Sequence, residues 1–426
     1  MFLPNQQVLT WTGGQTPVTE PPGDTWSELA REWANPSVVV ATVLMFVGGN
    51  VVHEALAQTT GRAFTPVTFS FGWPAYALSS LKGALGEGRL LPAPDYPVKV
   101  FNLMSSYHRV NKNWIIGRIV RDHEAWISKA DPSNNSGIRI AIFEATPDER
   151  QAKKSEFRYG PMHLFGAFVM VLQLVIAAIP TIRTNGHEWG ILAITALGTV
   201  LSLLMGALPQ WVAEKMPRTR DSNKVFALTT GNGSRDVMII KGEGRCPDLE
   251  CLATLDSPIT ASPWTTMERF SLSRQNSLSR DAKMIFGRPV GYQITRCVCV
   301  IETLGWLLIL VSLAGIRSHT WCLIAVGTIG LIHNSTLADL QRSPTARDPP
   351  LKLIDTISTR KIMDGLMDLE ITHAGCGQPL LREFFPGRLR HEEEQWWATP
   401  RKDRSNTAYD RKRLKEHVRR DRPRSM

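Results

Sequence analysis

Two long apolar runs lie close together in the middle of the chain. Residues 161–182 and 189–213 contain no Lys, Arg, Asp or Glu, and only six residues separate them. Each run exceeds the roughly 20 residues with which a helix crosses the hydrocarbon core of a bilayer. Helices in the cores of soluble proteins rarely continue so far without a charge. The pattern therefore predicts a hairpin of two transmembrane helices.

Similar runs elsewhere predict an all-α polytopic membrane protein with about five spans and mixed α/β cytoplasmic segments. The predicted spans are residues 36–58, 161–182, 189–213, 294–316 and 318–338. A further apolar run, 65–81, is short and contains Pro66, Gly72 and Pro74, which a regular helix in lipid does not readily accommodate. We interpret this run as re-entrant or interfacial, and a sixth crossing is the alternative.

The distribution of Lys and Arg predicts the orientation. Basic residues cluster in three long polar segments, which are residues 59–160, 214–293 and 339–400. Because basic loops remain on the cytoplasmic side, these segments are expected to be cytoplasmic. The head, residues 1–35, has one basic and four acidic residues and is expected on the opposite side. If the run at 65–81 crosses, both termini are cytoplasmic instead.

The polar segments carry patterns of their own. Apolar residues recur at three- and four-residue steps across 95–122, which predicts a helix. Two β-like runs flank Asn232-Gly233, which predicts a hairpin over 224–242, because both residues tolerate positive φ. The segment 351–373 is expected to form an amphipathic helix. The tail, 401–426, is basic with few apolar residues and is expected to be disordered.

The net charge of +10 indicates an anionic partner. In a membrane protein, basic loops and a basic tail favour contact with anionic lipid headgroups. Nucleic acid is not expected, since no aromatic interleaving accompanies the charge. The six cysteines are scattered and form no paired metal motif, so neither a metal nor another cofactor is predicted.

Ionisable residues inside the predicted spans are the main candidates for a functional site. Glu302 and His333 are expected at similar depth on neighbouring antiparallel helices, so a contact between them is geometrically allowed. Three more polar candidates near the same face are His53, Glu54 and His163. One interpretation is a polar cavity, open to the cytoplasm, for a proton, a cation or a small ligand. The alternative is a structural hydrogen bond between helices, with the remaining residues at the headgroup boundary.

One polar segment, RFSLSRQNSLSR at 269–280, is rich in Ser near Arg. Its phosphorylation candidates are Ser271, Ser273, Ser277 and Ser279. No nucleophile elbow, zinc-protease motif or phosphate-binding loop occurs in the chain. The chain therefore offers no reaction to propose, and a non-enzymatic role is favoured.

Several strings in the polar segments are distinctive. They are FSFGWPAYAL at 69–78, WIIGRIVRD at 114–122, LTTGNGS at 228–234, MDGLMDLE at 363–370 and GCGQPLLREFFPG at 375–387. These strings resemble a family of uncharacterised fungal multi-pass integral membrane proteins. The resemblance implies that the cytoplasmic segments are folded, and it transfers no catalytic residue.

Three functions follow as expectations. The first is a non-enzymatic organiser of unknown protein partners at the cytoplasmic face of the plasma membrane or an endomembrane. The second is a small transporter or channel that uses the intramembrane Glu/His pair. The third and weakest is a membrane-embedded enzyme acting on a lipophilic substrate.

Overall fold

The chain forms a helical bundle and an α/β unit that packs against one end of it. The computed structural model describes residues 48–60, 64–86, 88–130, 136–145, 161–215, 222–244, 246, 248–254, 284–285, 288–313, 315–316, 318–342, 351–400, 403–404 and 410. The four serine candidates and all of the tail except 403–404 and 410 lie outside these residues.

The bundle contains seven of the described helices. They are α1 (Gly49–Thr59), α2 (Trp73–Leu85), α4 (Pro161–Arg183), α5 (Gly190–Gly206), α6 (Pro209–Lys215), α8 (Val290–Leu313) and α9 (Thr320–Asp339). Three are long and apolar enough to cross a membrane, namely Met162–Arg183, Tyr292–Leu313 and Thr320–Asp339. The prediction of helices long and apolar enough to span a membrane is therefore confirmed at three of its five positions.

The other two predicted spans differ from the structure. The run at 189–213 is broken, since α5 ends at Gly206 and a short helix, α6, begins at Pro209. Proline lacks the N–H needed inside a helix and disfavours helical geometry in the residue before it, so one continuous helix was the wrong expectation. Only the second half of the predicted span 36–58 is described, and it forms α1.

A mixed six-stranded sheet forms the centre of the α/β unit, so the chain as a whole is not all-α. Its strands are β1 (Lys99–Asn102), β2 (Tyr107–Val110), β3 (Ile138–Ala145), β4 (Val225–Thr229), β5 (Asp236–Lys241) and β8 (Leu351–Thr359). Their order is β2-β1-β4-β5-β3-β8, and only the pair β3 and β5 is parallel. Two short strands, β6 (Met284–Ile285) and β7 (Arg288–Pro289), pair separately.

Helices cover both faces of the six-stranded sheet. They are α3 (Trp114–Ala130) and α7 (Leu249–Thr254) on one face, and α10 (Ile362–Thr372), α11 (Gln378–Phe384) and α12 (His391–Ala398) on the other. Side chains of a strand alternate between the faces: Ala141 and Phe143 join one core, whereas Ile140 and Ile142 join the other. Both cores are thus filled from the same strands.

Two helix predictions in the α/β unit were wrong. Residues 95–122 contain β1 and β2, and the helix α3 begins only at Trp114. Residues 351–373 divide into the edge strand β8 and the helix α10. In both cases the strand pairs with a distant segment, β1 with β4 and β8 with β3, and this pairing overrides the local helical pattern.

The turn of the β4–β5 hairpin contains two glycines with positive φ, Gly231 at 101° and Gly233 at 98°.

At the open end of the same hairpin, α7 is held by the carboxylate of Glu250. This carboxylate accepts hydrogen bonds from Asn102 at 3.0 Å, Lys224 at 3.2 Å and Arg109 at 3.4 Å. Glu250 therefore ties α7 to β1, to β2 and to the residue before β4.

Candidate functional site in the helical bundle

An extended stretch of chain, residues 65–71, lies buried inside the helical bundle. Every residue from Thr65 to Phe71 is buried, and none belongs to a helix or strand. Such a backbone cannot satisfy its own N–H and C=O groups, so inside a bundle it needs side-chain partners. The neighbouring helices supply these partners.

Three polar side chains hold the extended stretch. The Gln173 amide donates to the Phe69 carbonyl oxygen at 2.8 Å and also to Val326 of α9. The Asn334 amide donates to the Thr68 carbonyl oxygen at 2.9 Å and accepts from the Thr68 N–H at 3.0 Å. His333 Nε2 lies 3.0 Å from the carbonyl oxygen of Pro66. These carbonyl groups are therefore bonded to protein and do not face an aqueous pore.

Glycines allow the helices to approach the extended stretch closely. A Cβ at Gly330 of α9 would overlap the carbonyl oxygen of Phe69, and a Cβ at Gly327 would overlap the Phe71 ring. A larger residue at either position would separate α9 from the extended stretch. The packing explains why small residues lie within these apolar helices.

The helices α1 and α2 begin at the same depth in the bundle. Gly48, which precedes α1, lies against Gly72, which precedes α2, so closely that a Cβ at Gly72 would overlap the Gly48 carbonyl. From there α2 runs beside α8, with the Thr303 hydroxyl bonded to Ala77 at 3.3 Å and the Tyr292 hydroxyl bonded to Ala84 at 2.6 Å. The stretch 65–85 therefore enters and leaves the bundle at the end that carries the α/β unit.

Glu302 of α8 lies near the first turn of α2 and is 1% exposed. Its Oε2 accepts a hydrogen bond from Trp306 Nε1 at 3.1 Å, whereas its Oε1 has no hydrogen-bond partner among the residues that the structure describes. The hydroxyl group of Tyr76 is also buried without a partner in that set and lies within electrostatic range of Glu302. Two unsatisfied polar groups thus occur together in an apolar interior, which calls for an explanation.

A series of polar groups leads from Glu302 toward the α/β unit. The His53 ring lies 5.3 Å from the Tyr76 ring, centroid to centroid, and its Nε2 contacts the Leu90 carbonyl oxygen at 2.6 Å. Glu214 accepts the N–H groups of Leu90 and Leu91 at 2.8 Å and 2.7 Å. His53 and Glu214 therefore hold the same short loop.

The five intramembrane candidates do not form one cluster. Glu302 and His333 bond to different partners, and none of the described hydrogen bonds joins them. His163 is buried beside Phe64, at 6.5 Å between ring centroids. Glu54 instead accepts a hydrogen bond from Arg118 at 2.6 Å. The Glu302–His333 pair, allowed by depth alone, is not formed.

Sequence reasoning missed Arg118, which joins the α/β unit to the bundle. Arg118 is 2% exposed, pairs with Glu54 and Asp95, donates to the Ala338 carbonyl oxygen at 3.0 Å, and stacks over Trp114 at 4.5 Å. Arg118 and Asp122 lie four residues apart on α3 and therefore share one face of that helix. Two opposite charges at this spacing are a sequence signal that could have drawn attention to Arg118. Tyr76 and Glu214 were also missed, and no local pattern distinguishes them.

Comparison with protein-family models, with curated proteins and with solved structures finds no match for this chain. The resemblance to fungal membrane proteins therefore stays a prediction.

Proposed function

We propose that this protein is a multi-pass integral membrane protein that binds a proton or a small monovalent cation at Glu302. The observation that carries the proposal is a buried carboxyl oxygen of Glu302 that has no hydrogen-bond partner among the described residues, within electrostatic range of the Tyr76 hydroxyl group, which is buried and unbonded in the same set. A carboxyl group among membrane-spanning helices costs free energy, and such groups are typical of proton and ion pathways. A bound proton or cation would satisfy the open oxygen.

The surface of the bundle supports membrane insertion. Large apolar side chains of the longest helices face outward, with Leu164 66% exposed, Phe168 61% and Val311 73%, while Gln173 and Asn334 are fully buried. This distribution is the reverse of that of a water-soluble bundle, and it suits a lipid environment. The position of α5 and α1 beside these helices favours several crossings.

The aromatic packing favours a carrier over an open channel. The Trp306 ring stacks between Phe69, at 5.9 Å, and Trp73, at 5.7 Å, next to Glu302. These rings fill the middle of the bundle, and the nearby carbonyl groups of Thr68 and Phe69 are already bonded. A site closed in this way binds its ion and releases it after a conformational change.

Flux through reconstituted vesicles tests the proposal. Purified protein is placed in liposomes that contain a pH-sensitive dye, and proton, Na⁺ and K⁺ movement are measured under imposed gradients. We expect flux of one of these ions, a loss of at least about tenfold in Glu302→Gln, and no change in the exposed control Glu394→Gln. Absence of all three fluxes, or normal flux in Glu302→Gln, would refute the proposal.

A second candidate function is the organisation of protein partners at the α/β unit. It is favoured by the outer edge of β8, which pairs with no other strand among the described residues. A photo-crosslinking residue at Thr356, on that strand, is expected to capture a specific partner in native membranes. The same residue at Val311, on the apolar surface of α8, is the control. Identical products at both positions would refute this role.

A further inference from the structure

A cleft opens in the α/β unit where β5 ends, far along the chain from the bundle site. It has a volume of about 400 Å³. Its lining includes Asn223, Val225, Lys241, Glu243, His373 and Cys376. Lys241 is the last residue of β5, and β5 runs parallel to β3. The cleft therefore lies where β5 ends and its antiparallel neighbour β4 begins.

The position of the Lys241 ammonium group in this cleft is set by its neighbours. Lys241 Nζ lies 3.1 Å from His373 Nδ1, and His373 Nε2 lies 3.3 Å from the Asp355 carboxylate. An ammonium group only donates, so Nδ1 is the acceptor and the ring proton is on Nε2, directed at Asp355. The imidazole is therefore oriented, and it uses one of the three ammonium hydrogens. Among the residues that the structure describes no hydrogen bond uses the other two, so both can bond to a ligand.

The same cleft also carries negative charge. Glu243 lines it, two residues after Lys241, and has a positive φ of 45°, which a non-glycine residue rarely adopts. The helix α10 ends at the cleft with Thr372, so its carbonyl end contributes partial negative charge. A purely anionic ligand would meet repulsion here. A ligand with both signs of charge would find partners for each.

We infer that this cleft binds a small amphoteric ligand, one that carries a carboxylate and an ammonium group as a free amino acid does. The carboxylate bonds to Lys241, and the ammonium group lies toward Glu243 and the carbonyl end of α10. Val225 and the methyl group of Ala374 offer apolar contact for the remainder of the ligand. This site is independent of the ion site proposed at Glu302.

Three matched probes test both halves of the inference on the full chain in detergent. They are L-leucine, 4-methylpentanoate, which lacks the amino group, and 3-methylbutylammonium, which lacks the carboxylate. Binding is measured by equilibrium dialysis at constant ionic strength. We expect saturable binding of L-leucine, and binding at least about tenfold weaker for each half-probe, because each loses one charge-assisted hydrogen bond. Equal binding of all three probes, or no saturable binding of L-leucine, would overturn the inference.

Variants identify the cleft as the place of binding. Lys241→Met should weaken L-leucine binding at least about tenfold, Lys241→Arg should largely retain it, and Lys352→Met on the exposed strand β8 should leave it unchanged. Circular dichroism of each variant establishes that the α/β unit is folded. Unchanged L-leucine affinity in a folded Lys241→Met variant would show that the ligand binds elsewhere.

Discussion

Asn334 provides a quantitative test of how the buried extended stretch is held. The substitution Asn334→Leu keeps the approximate size of the side chain but removes its hydrogen bonds to the Thr68 N–H and carbonyl oxygen. It also removes bonds to the hydroxyl groups of Ser70 and Thr68, but a hydroxyl group can rotate toward another partner, so the backbone losses dominate. The carbonyl oxygen retains a second donor, Trp73 Nε1 at 2.8 Å, whereas the N–H is left without a partner in a fully buried position. The free-energy cost of the substitution is therefore larger at the Thr68 N–H than at the Thr68 carbonyl oxygen.

The magnitude follows from these two losses. An unsatisfied buried N–H costs about 1–3 kcal/mol, and the loss of a second bond to an oxygen that keeps one partner costs about 1 kcal/mol. The substitution should therefore lower the free energy of local opening by about 2–4 kcal/mol. At about 1.4 kcal/mol per factor of ten, opening becomes roughly 30- to 700-fold more frequent.

The opening can be measured by hydrogen exchange with mass spectrometry on the detergent-solubilised protein. The relevant quantity is the exchange rate of peptides that cover residues 65–72. Thr336→Leu, an exposed position two residues along α9, is the control and should alter exchange by less than about threefold. The α/β unit should exchange normally in both variants. If Asn334→Leu leaves exchange at 65–72 within threefold of the parent protein, the hydrogen bonds to Asn334 do not hold the stretch.

Three further predictions concern the α/β unit. Arg118→Met should destabilise the protein by about 1–3 kcal/mol in denaturant titration, because its carboxylate partners lose their donor yet stay partly exposed; Lys112→Met, at an exposed position just before α3, should have little effect. Burial and a neighbouring carboxylate raise the pKa of Cys246 to about 12, so at pH 8 maleimide should label the exposed Cys251 but not Cys246 in the folded protein. Burial acts to raise the pKa of Glu250, but its three hydrogen-bond donors and the adjacent ammonium group lower it below the ordinary value overall. The stability from Glu250 is then present above an ordinary carboxyl pKa and is lost as the pH falls through the lowered pKa, and Glu250→Gln should reduce this acid sensitivity in melting experiments.

Helices long and apolar enough to span a membrane were predictable where the signal is local in the sequence. The runs that became α4, α8 and α9 could be read from length and the absence of charge, since these properties depend on neighbouring residues alone. The break between α5 and α6 was also visible in principle, because Pro209 lies within the apolar run. The apolar composition of that segment favoured one helix over 189–213, although Pro209 marks the start of a second helix.

The sheet was predictable only in part. Residues 225–241 carry their own turn signal, so a hairpin follows from the local sequence. The strands at 99–102 and 351–359 have no such signal. Each bonds to a partner more than 100 residues away, β4 or β3, and no short window of the sequence contains both members of that pair. The strand at 99–102 also pairs with β2 nearby, but β2 carries no strand signal of its own.

Glu302 illustrates the same division within the candidate site. The sequence shows that Glu302 is an acidic residue within an apolar run, and its depth along the helix allowed a contact with His333. The structure instead places the chain stretch 65–85 beside both helices, so that Glu302 lies against Trp306 and Tyr76 while His333 bonds to Pro66. Contacts between helices depend on which segment lies between them, and spacing along one helix carries no such information.

The amino-acid order alone thus specified where helices long enough for a bilayer occur, because hydrophobicity and length act over one continuous segment. Folding in three dimensions decided which polar groups meet: the extended stretch 65–71 among α4, α5 and α9, the arginine that joins the two units, and the cleft at the end of β5. Hydrogen bonds and ion pairs act only over a few ångströms, so groups distant in the chain become partners through packing.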